Sequence, residues 1–545
     1  MVESEKATKK NFLSGVLLLS LSTVLVKVVG FLYKIPMFSY LGSAGMGYFH
    51  SAYEIYALFC VIATAGLPVA LSVLISAALA RGDGNGVRRI YRASMATFWG
   101  IGALGTIAMI AFAPWFCRLI QSDNARACII AIAPTVLFVC ISSGYRGYFQ
   151  GYQRMMPTAI SQLIEAVGKL IFGLILARWA LDSGMEPPEV AAAAGWGLTL
   201  GAAASALYLA CEKQRFCRSL EYRRKMKSMR VEIGESKGVL RSLARLAVPM
   251  TLGASAVSVT KLIDMTMILR RLQFIGFTET AANEAYGSYT ALALSIYALL
   301  PSLVNSIALP LIPLLSGAIA RGDEARQREM IRASYHLTAM VAIPAALVVS
   351  AFARQILMLL FGREAEAVDQ AAPLLSMLGV SIFLSCMITA TNSVLHAYRC
   401  VNRPIFSMLA GAGVKVLAAY FLIGSPRIGM LGAPISTLLC NLTVVILNLI
   451  FAARLQKTEE LVSVFGKPLA ASIPSVGIPL CLYHLLEARI GASIGFTLGI
   501  LMMTVILYLF FAGILGVITA QDMAAIPMGD RVKRAFLKLH WLRAE

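Results

Sequence analysis

The chain has 545 residues, of which 58% are hydrophobic and 14% charged, and its formal net charge is +20. Apolar runs of about twenty residues or more recur between short polar connections, which excludes one large soluble core and is typical of a polytopic membrane protein. The ten cysteines form no Cys-x-x-Cys pair and have no histidine at metal-ligand spacing, so we expect buried thiols and neither a metal site nor a catalytic set.

The apolar runs predict an all-α protein with about fourteen transmembrane helices, called spans 1 to 14 below. The polar start MVESEKATKK precedes span 1, which is too long for a signal-peptide core, so we expect span 1 to be retained. The spans are 12–38, 48–79, 91–116, 126–149, 157–181, 190–211, 243–269, 287–319, 334–359, 371–396, 404–424, 431–452, 468–487 and 493–520.

The basic residues are distributed unevenly between the two sides. Most of the 48 lysines and arginines lie near the chain ends or in connections that follow even-numbered spans. The positive-inside rule then places both termini in the cytoplasm. The most basic connection, residues 211–245, is expected to anchor this topology and to contact anionic lipid head groups, so the positive charge implies no nucleic-acid partner.

An internal repeat organises the spans. SAALARGDGNGVRRIYRAS, residues 76–94, matches SGAIARGDEARQREMIRAS, residues 316–334, at ten of nineteen positions. The ARGD segments are interpreted as cytoplasmic turns between helices rather than as adhesion motifs. The spacing predicts two parallel six-helix repeats and two additional C-terminal helices. The predicted divisions are an N-terminal half 1–212, a basic linker 213–242, a C-terminal half 243–453, and a last segment 454–545 with spans 13 and 14 and a basic tail.

Eight charged side chains are predicted to lie at mid-bilayer depth, where an ionised lysine or aspartate costs about 2.5 to 3.5 kcal/mol on insertion scales. Such groups are expected to face a cavity or a partner, so all eight are candidate substrate-binding residues. They are Lys27 and Lys34 in span 1, Glu54 in span 2, Glu165 and Lys169 in span 5, Lys261 and Asp264 in span 7, and Lys415 in span 11.

Two pairs among these residues also allow a structural interpretation. Glu165 and Lys169 are spaced i, i+4, whereas Lys261 and Asp264 are spaced i, i+3. Each pair is therefore either a local ion pair or part of a functional site.

The repeat relates the lysines to one another. Lys27 and Lys261 lie in the first spans of the two halves, and Lys169 and Lys415 in their fifth spans. This symmetry predicts a central cavity between the halves, and its five positive and three negative groups favour an anionic substrate. Lys34 shares a helix face with Lys27 but can reach the outer interface, so Lys27 is the stronger candidate.

The segment SGYRGYFQGYQRMMPTAISQLIE, residues 143–165, resembles the signature of the stage V sporulation protein B family of polysaccharide-biosynthesis membrane proteins. That family is grouped with MurJ-type lipid II flippases and O-antigen flippases in the multidrug/oligosaccharidyl-lipid/polysaccharide (MOP) exporter superfamily. The resemblance covers essentially the whole chain. It implies a MOP/MATE-like fold in the bacterial cytoplasmic membrane.

The same resemblance implies movement of an undecaprenyl-diphosphate-linked sugar, such as lipid II, from the inner to the outer leaflet for peptidoglycan. Some members of the family act in sporulation. MurJ-type proteins have essential cations on their first helix around a Gly-Phe step, and the segment from Lys27 to Lys34 matches this pattern with lysine in place of arginine.

Two other functions are left open. A sodium- or proton-coupled multidrug antiporter of the same superfamily is expected to have mainly acidic groups in its cavity. A membrane-embedded glycan polymerase is expected to have paired carboxylates in long outer connections, which the sequence lacks. No phosphate-binding loop for ATP is present, so we expect no cofactor and a driving force from sodium, protons or the membrane potential. The oligomeric state is not indicated by the sequence.

Overall fold

The computed structural model describes residues 2–220, 222, 236–308, 311–400, 402–455, 461–490 and 493–517. Within these ranges the chain forms eighteen α-helices and no β-strand, which confirms the predicted all-α class. The chain divides into two compact units, Met1–Gly287 and Ser288–Glu545. Most of the predicted basic linker, and the tail from residue 518 onward, lie outside the described residues.

The first unit is a bundle in which α6 packs along α7 and α1, and α8 packs against α1 and α2. A 3-10 turn at Asp123–Ala125 leads into α5. The helices are α1 Val2–Thr64, α2 Leu67–Arg81, α3 Gly84–Ala111, α4 Ala113–Ile120, α5 Arg126–Gly151, α6 Met156–Asp182, α7 Pro187–Arg218, α8 Ser236–Phe274 and α9 Glu279–Ser288.

The connection predicted between spans 1 and 2 is not a loop. The structure shows continuous helix with a kink at Gly42, which has φ 63° and ψ −177°. Glycine adopts a positive φ readily because it has no Cβ, so a single residue redirects the chain. The prediction of an unbroken span 2 is also wrong, because α1 ends at Thr64 and α2 begins at Leu67.

The break before α2 coincides with a close approach of α8. A Cβ on Gly66 would lie 2.2 Å from the backbone oxygen of Ala247, so a larger residue does not fit. Pro68 lies in the first turn of α2, where its missing N–H costs no helical hydrogen bond. The break between α1 and α2 therefore lies at the point where α8 approaches.

The two ARGD segments form turns between helices, as the sequence predicts. Gly82 and Gly322 adopt φ values of 72° and 69° at the ends of the preceding helices. The side chains of Asp83 and Asp323 each cap the following helix by accepting a hydrogen bond from a backbone N–H three residues later. In both repeats, therefore, one helix ends just before the glycine and the next begins directly after the aspartate.

The second unit begins with a π-helical segment, Tyr289–Ala293. Its interior includes a hydrophobic cluster in which Ile331 and Tyr335 of α12 pack near Met387 of α14. The helices are α10 Leu294–Ala308, α11 Leu311–Ala320, α12 Glu324–Ala351, α13 Ala353–Phe361, α14 Ala365–Ala397, α15 Asn402–Ile423, α16 Gly432–Ala453, α17 Leu461–Ile490 and α18 Ile494–Ile514.

Eleven helices in the described part of the chain are long and apolar enough to cross a membrane. The protein is therefore a multi-pass membrane protein, whereas the number fourteen stays a prediction. The two C-terminal helices expected beyond the repeat are α17 and α18, which pack against each other, and α17 also packs against α12.

Candidate functional site

An arginine at the end of α5 joins three helices of the first unit. The Arg146 Nη2 atom lies 2.7 Å from Glu165 Oε2 on α6. The Arg146 Nε atom donates to Ser161 Oγ at 2.9 Å, and Nη2 also donates to Ser205 Oγ on α7 at 3.2 Å. The Arg146 and Glu165 side chains are 13% and 27% exposed, so this ion pair is largely shielded from solvent.

This geometry corrects the local interpretation of Glu165. Its ion-pair partner is Arg146 on another helix, rather than Lys169 one turn along its own helix. Arg146 was not among the site residues predicted from the sequence, because it lies close to the end of span 4. The signal that was available is its position inside the apolar run, before the Gly and Tyr residues that continue the helix.

Lys169 is held between two tyrosine rings of α1. Its Nζ atom lies 5.0 Å from the ring centroid of Tyr33 and 5.3 Å from that of Tyr53. Tyr33 precedes the kink at Gly42 and Tyr53 follows it, so the kink brings both ring faces to one ammonium group. Cation–π attraction of this kind contributes about 0.5 to 2 kcal/mol, more where water is excluded.

Glycines let the helices around Lys169 approach closely. A Cβ on Gly173 would lie 2.8 Å from the Tyr33 hydroxyl, and one on Gly197 of α7 would lie 2.2 Å from the Gly173 Cα. Small residues at helix contacts are the usual means of close packing in membrane proteins. The aromatic clamp on Lys169 therefore depends on glycine at these positions of α6 and α7.

The α1 helix contributes three further groups. Lys34 lies within electrostatic range of Glu54, Lys169 and Lys261. His50 lies within electrostatic range of Lys34, Lys169 and Lys261. The His50 Nε2 and Glu54 Oε2 atoms are buried and have no hydrogen-bond partner among the described residues. Buried polar atoms are ordinarily hydrogen bonded, so these two atoms are available to a ligand. His50 was not among the site residues predicted from the sequence.

The α8 helix contributes two charged residues, Lys261 and Asp264. Glu54 lies within electrostatic range of both Lys261 and Asp264. Lys261 and Asp264, the predicted i, i+3 pair of α8, therefore lie near a charged residue of α1. We call the following set the charged cluster: Lys34, His50, Glu54, Arg146, Glu165, Lys169, Lys261 and Asp264.

Two predicted site residues are not included in the charged cluster. Lys27 is exposed, whereas Lys34 on the same helix is half-buried. Lys415 lies half-buried on α15, in the second unit. The structure therefore associates six of the eight predicted residues with one another and adds Arg146 and His50.

The charged cluster has the composition of an anion site. Once Arg146 and Glu165 are paired, three lysines and two carboxylates are left, with His50 beside them. These groups leave one positive charge that the cluster's own carboxylates do not balance, which favours an anionic group over a cationic one. In the described residues, no three or more His, Cys, Asp or Glu side chains are arranged to hold a metal ion.

Comparisons with known proteins agree with this architecture. The chain is 25% identical over 455 residues to stage V sporulation protein B of Bacillus subtilis (strain 168), covering 82% of this chain and 84% of that protein. It is 32% identical over 169 residues to lipid II flippase MurJ of the same organism, covering 29% of this chain and 31% of that protein. A solved structure of lipid II flippase MurJ in an inward closed conformation has a TM-score of 0.66 at 13% identity, covering 91% of this chain and 98% of that chain.

Two family models match the chain in overlapping regions. The model described as MatE matches residues 285–421. The model described as polysaccharide biosynthesis protein matches residues 12–318, more than half of the chain. The predicted MOP/MATE-like fold is thereby confirmed. The chain belongs to the polysaccharide biosynthesis protein family, and it is a membrane protein of the transporter and flippase class.

Proposed function

We propose that this protein is a flippase that moves an undecaprenyl-diphosphate-linked sugar, such as lipid II or a related cell-wall precursor, from the inner to the outer leaflet. The charged cluster binds the diphosphate. The relatives named above support the class of substrate, and the chemistry of the cluster supports the role of its residues.

The observation that carries this proposal is the convergence of three lysines from three helices. Lys34, Lys169 and Lys261 come from α1, α6 and α8, and Lys34 lies within electrostatic range of the other two. Glu54 and Asp264 offset two of the three lysine charges, and an anion shared between the ammonium groups would offset the rest. A diphosphate offers several acceptor oxygens to the three donors, and each charge-assisted hydrogen bond contributes about 1.5 to 3 kcal/mol.

Arg146 and Lys169 have different roles in this proposal. Arg146 is already paired with Glu165 and fixes α5, α6 and α7 relative to one another. Lys169 is held by tyrosine faces rather than by a close ion pair, so its ammonium can still donate to phosphate. Arg146 is thus a positioning residue, whereas Lys169 contacts the substrate.

The driving force need not be chemical. With the inside of the membrane negative, outward movement of each negative charge releases about 2.3 kcal/mol per 100 mV. A cluster that neutralises the diphosphate also lowers the barrier to its passage through the membrane interior. Alternating exposure of the cluster to the two sides then moves the head group.

The test is rescue of bacterial cells depleted of their own lipid II flippase, combined with an accessibility assay for lipid II in the outer leaflet. Lys169→Ala and Lys34→Ala are expected to abolish rescue while the protein is still inserted in the membrane. Lys27→Ala is the matched variant, because Lys27 lies on the same helix as Lys34 but is exposed. Full rescue by both cluster variants would contradict the proposal.

A sodium- or proton-coupled multidrug antiporter is the second candidate. The match of residues 285–421 to the MatE model and the carboxylates Glu54 and Asp264 in the cluster favour it. Purified protein in liposomes would then show ion flux stimulated by organic cations, without dependence on lipid-linked sugars.

A further inference from the structure

The first unit contains a second polar site, a cavity of about 330 Å³. It lies among the N-terminal part of α3, the end of α5 and the end of α7. The neighbouring connections are those that the charge distribution predicts to be cytoplasmic. Tyr148 of α5 lines the cavity, whereas Arg146, two residues earlier, belongs to the charged cluster. Residues two apart on a helix do not share a face, so the two sites are separate.

Three cations line this cavity. Arg88 and Arg92 are one turn apart on α3, and Lys213 comes from α7, while none of the lining residues is acidic. Like charges at i, i+4 destabilise a helix, and a third cation nearby adds to the repulsion. The arrangement is favourable when a ligand supplies the negative charge.

The wall behind the cations is aromatic and closely packed. The Lys213 Nζ atom lies 4.6 Å from the ring centroid of Tyr91. Tyr91 meets Tyr148 with centroids 4.9 Å apart, and Tyr148 is only 2% exposed. The rings of Tyr152 and Phe216 extend this aromatic wall with an edge-to-face contact, their centroids 5.1 Å apart. Such a wall holds Tyr91 in place, and through it the Lys213 side chain.

The repeat shows that this wall is not a general feature of the fold. Arg328 and Arg332 of α12 occupy the positions that match Arg88 and Arg92, but Ile331 replaces Tyr91. Ile331 is 2% exposed and packs in the hydrophobic cluster of the second unit. The two arginines are therefore shared by the repeats, whereas the aromatic wall beside them belongs to the first unit.

We propose that this cavity binds a phosphate group presented from the predicted cytoplasmic side. Arginine side chains bind phosphate oxygens in a bidentate manner, and the cavity volume lies at the small end of the usual range for ligand pockets. The phosphate belongs either to the head group of an anionic phospholipid or to a soluble phosphate compound. This site is independent of the proposed flippase substrate and of the charged cluster.

The first test measures thermal unfolding of the purified full-length protein in a neutral detergent. The probes are phosphatidylglycerol for the lipid source, and inorganic pyrophosphate and ADP for the soluble source, with phosphatidylcholine as the zwitterionic reference. At least one anionic probe is expected to raise Tm saturably, because a ligand that binds only the folded state stabilises it. A response to phosphatidylglycerol alone identifies a lipid site, and a response to a soluble probe identifies a soluble ligand.

The matched variants are Arg88→Gln/Arg92→Gln and Arg328→Gln/Arg332→Gln, which remove the same charges from equivalent positions of the repeat. The first double variant is expected to bind the responding probe about tenfold to a hundredfold more weakly, as for the loss of charge-assisted hydrogen bonds. The second is expected to bind as the unaltered protein does. The proposal is overturned if no anionic probe raises Tm, or if both double variants lose the response equally.

A second measurement avoids substitution altogether. Cys217 lines the cavity and Cys211 is exposed on the same helix, so the two thiols can be followed together by mass spectrometry during maleimide labelling. The responding probe is expected to slow labelling of Cys217 severalfold without affecting Cys211. Unchanged labelling of Cys217 at a probe concentration that saturates the Tm response would place the phosphate elsewhere and overturn the proposal.

Discussion

The two units connect their corresponding helices by different chemistry. In the first unit, Arg146 joins α5, α6 and α7 through Glu165 and two serines. The sequence separation that relates Lys169 to Lys415 also relates Arg146 to Asn392 and Glu165 to Gly411. The second unit therefore has an amide and a glycine where the first has an ion pair.

The amide contact is neutral but still specific. The Asn448 Nδ2 atom of α16 donates to Asn392 Oδ1 at 2.9 Å and to Thr391 Oγ1 at 3.1 Å, both on α14. Hydrogen bonds between polar side chains suffice to fix membrane helices without the desolvation of a full charge. A shielded ion pair brings a larger desolvation cost, which is weak evidence for a purely stabilising role. This contrast supports the proposal that the charge in the first unit serves function.

The expected effect on transport separates the two related lysines. Lys169→Met is expected to lower the rate of lipid II appearance in the outer leaflet about tenfold to a hundredfold, because one charge-assisted contact to the diphosphate is lost. Lys415→Met is expected to have a smaller effect, since its unit lacks the counterparts of Arg146 and Glu165. Both rates are measured by accessibility in cells with matched protein levels. Equal losses for the two variants would contradict the functional asymmetry.

The next effect concerns the ion pair itself. Glu165→Ala is expected to destabilise the first unit by about 3 to 5 kcal/mol, because it leaves the guanidinium of Arg146 shielded and without its carboxylate. The double variant Arg146→Asn/Glu165→Gly, which copies the second unit, is expected to recover part of this loss. Unfolding in mixed micelles of increasing SDS fraction measures both. If the double variant is less stable than Glu165→Ala, the unpaired guanidinium of Arg146 is not the cause of the destabilisation.

The glycine that replaces Glu165 allows a third test. A Cβ on Gly411 would lie 2.5 Å from Val444 Cγ2, whereas Gly413 on the same helix has nothing within 4 Å of its Cβ position. Gly411→Ala is expected to destabilise the protein by about 1 to 3 kcal/mol through overpacking. Gly413→Ala is expected to be neutral or slightly stabilising, because alanine favours helix more than glycine does. The same micelle unfolding experiment compares them, and equal stabilities would contradict the close contact.

The smallest effect tests the amide contact. Asn448→Ala is expected to cost about 0.6 to 1.7 kcal/mol, the range found for hydrogen bonds between membrane helices. Asn441, two turns earlier on the same face of α16, donates to the Tyr297 hydroxyl at 3.0 Å and provides a second amide for comparison. A loss for Asn448→Ala as large as that for Glu165→Ala would remove the contrast between the units.

Sequence reasoning succeeded where the signal is local or periodic. Apolar runs of sufficient length identify membrane helices because their backbone groups must be satisfied internally. The Gly-Asp turns were recognisable because glycine adopts a positive φ and aspartate caps the next helix. The intramembrane charges were found because each one is costly in lipid.

The sequence by itself determined the class of protein, the repeat and which side chains are unusual for a membrane. Only the tertiary structure decided how those side chains meet. The partner of Glu165 lies nineteen residues earlier in the chain, on another helix, at a distance that helical periodicity does not specify. Lys34 lies within electrostatic range of Lys169 and Lys261, and Tyr33 and Tyr53 reach Lys169 together because the kink at Gly42 redirects α1. Contacts of this kind depend on crossing angles and close approaches between helices, which are set by the packing of the whole unit.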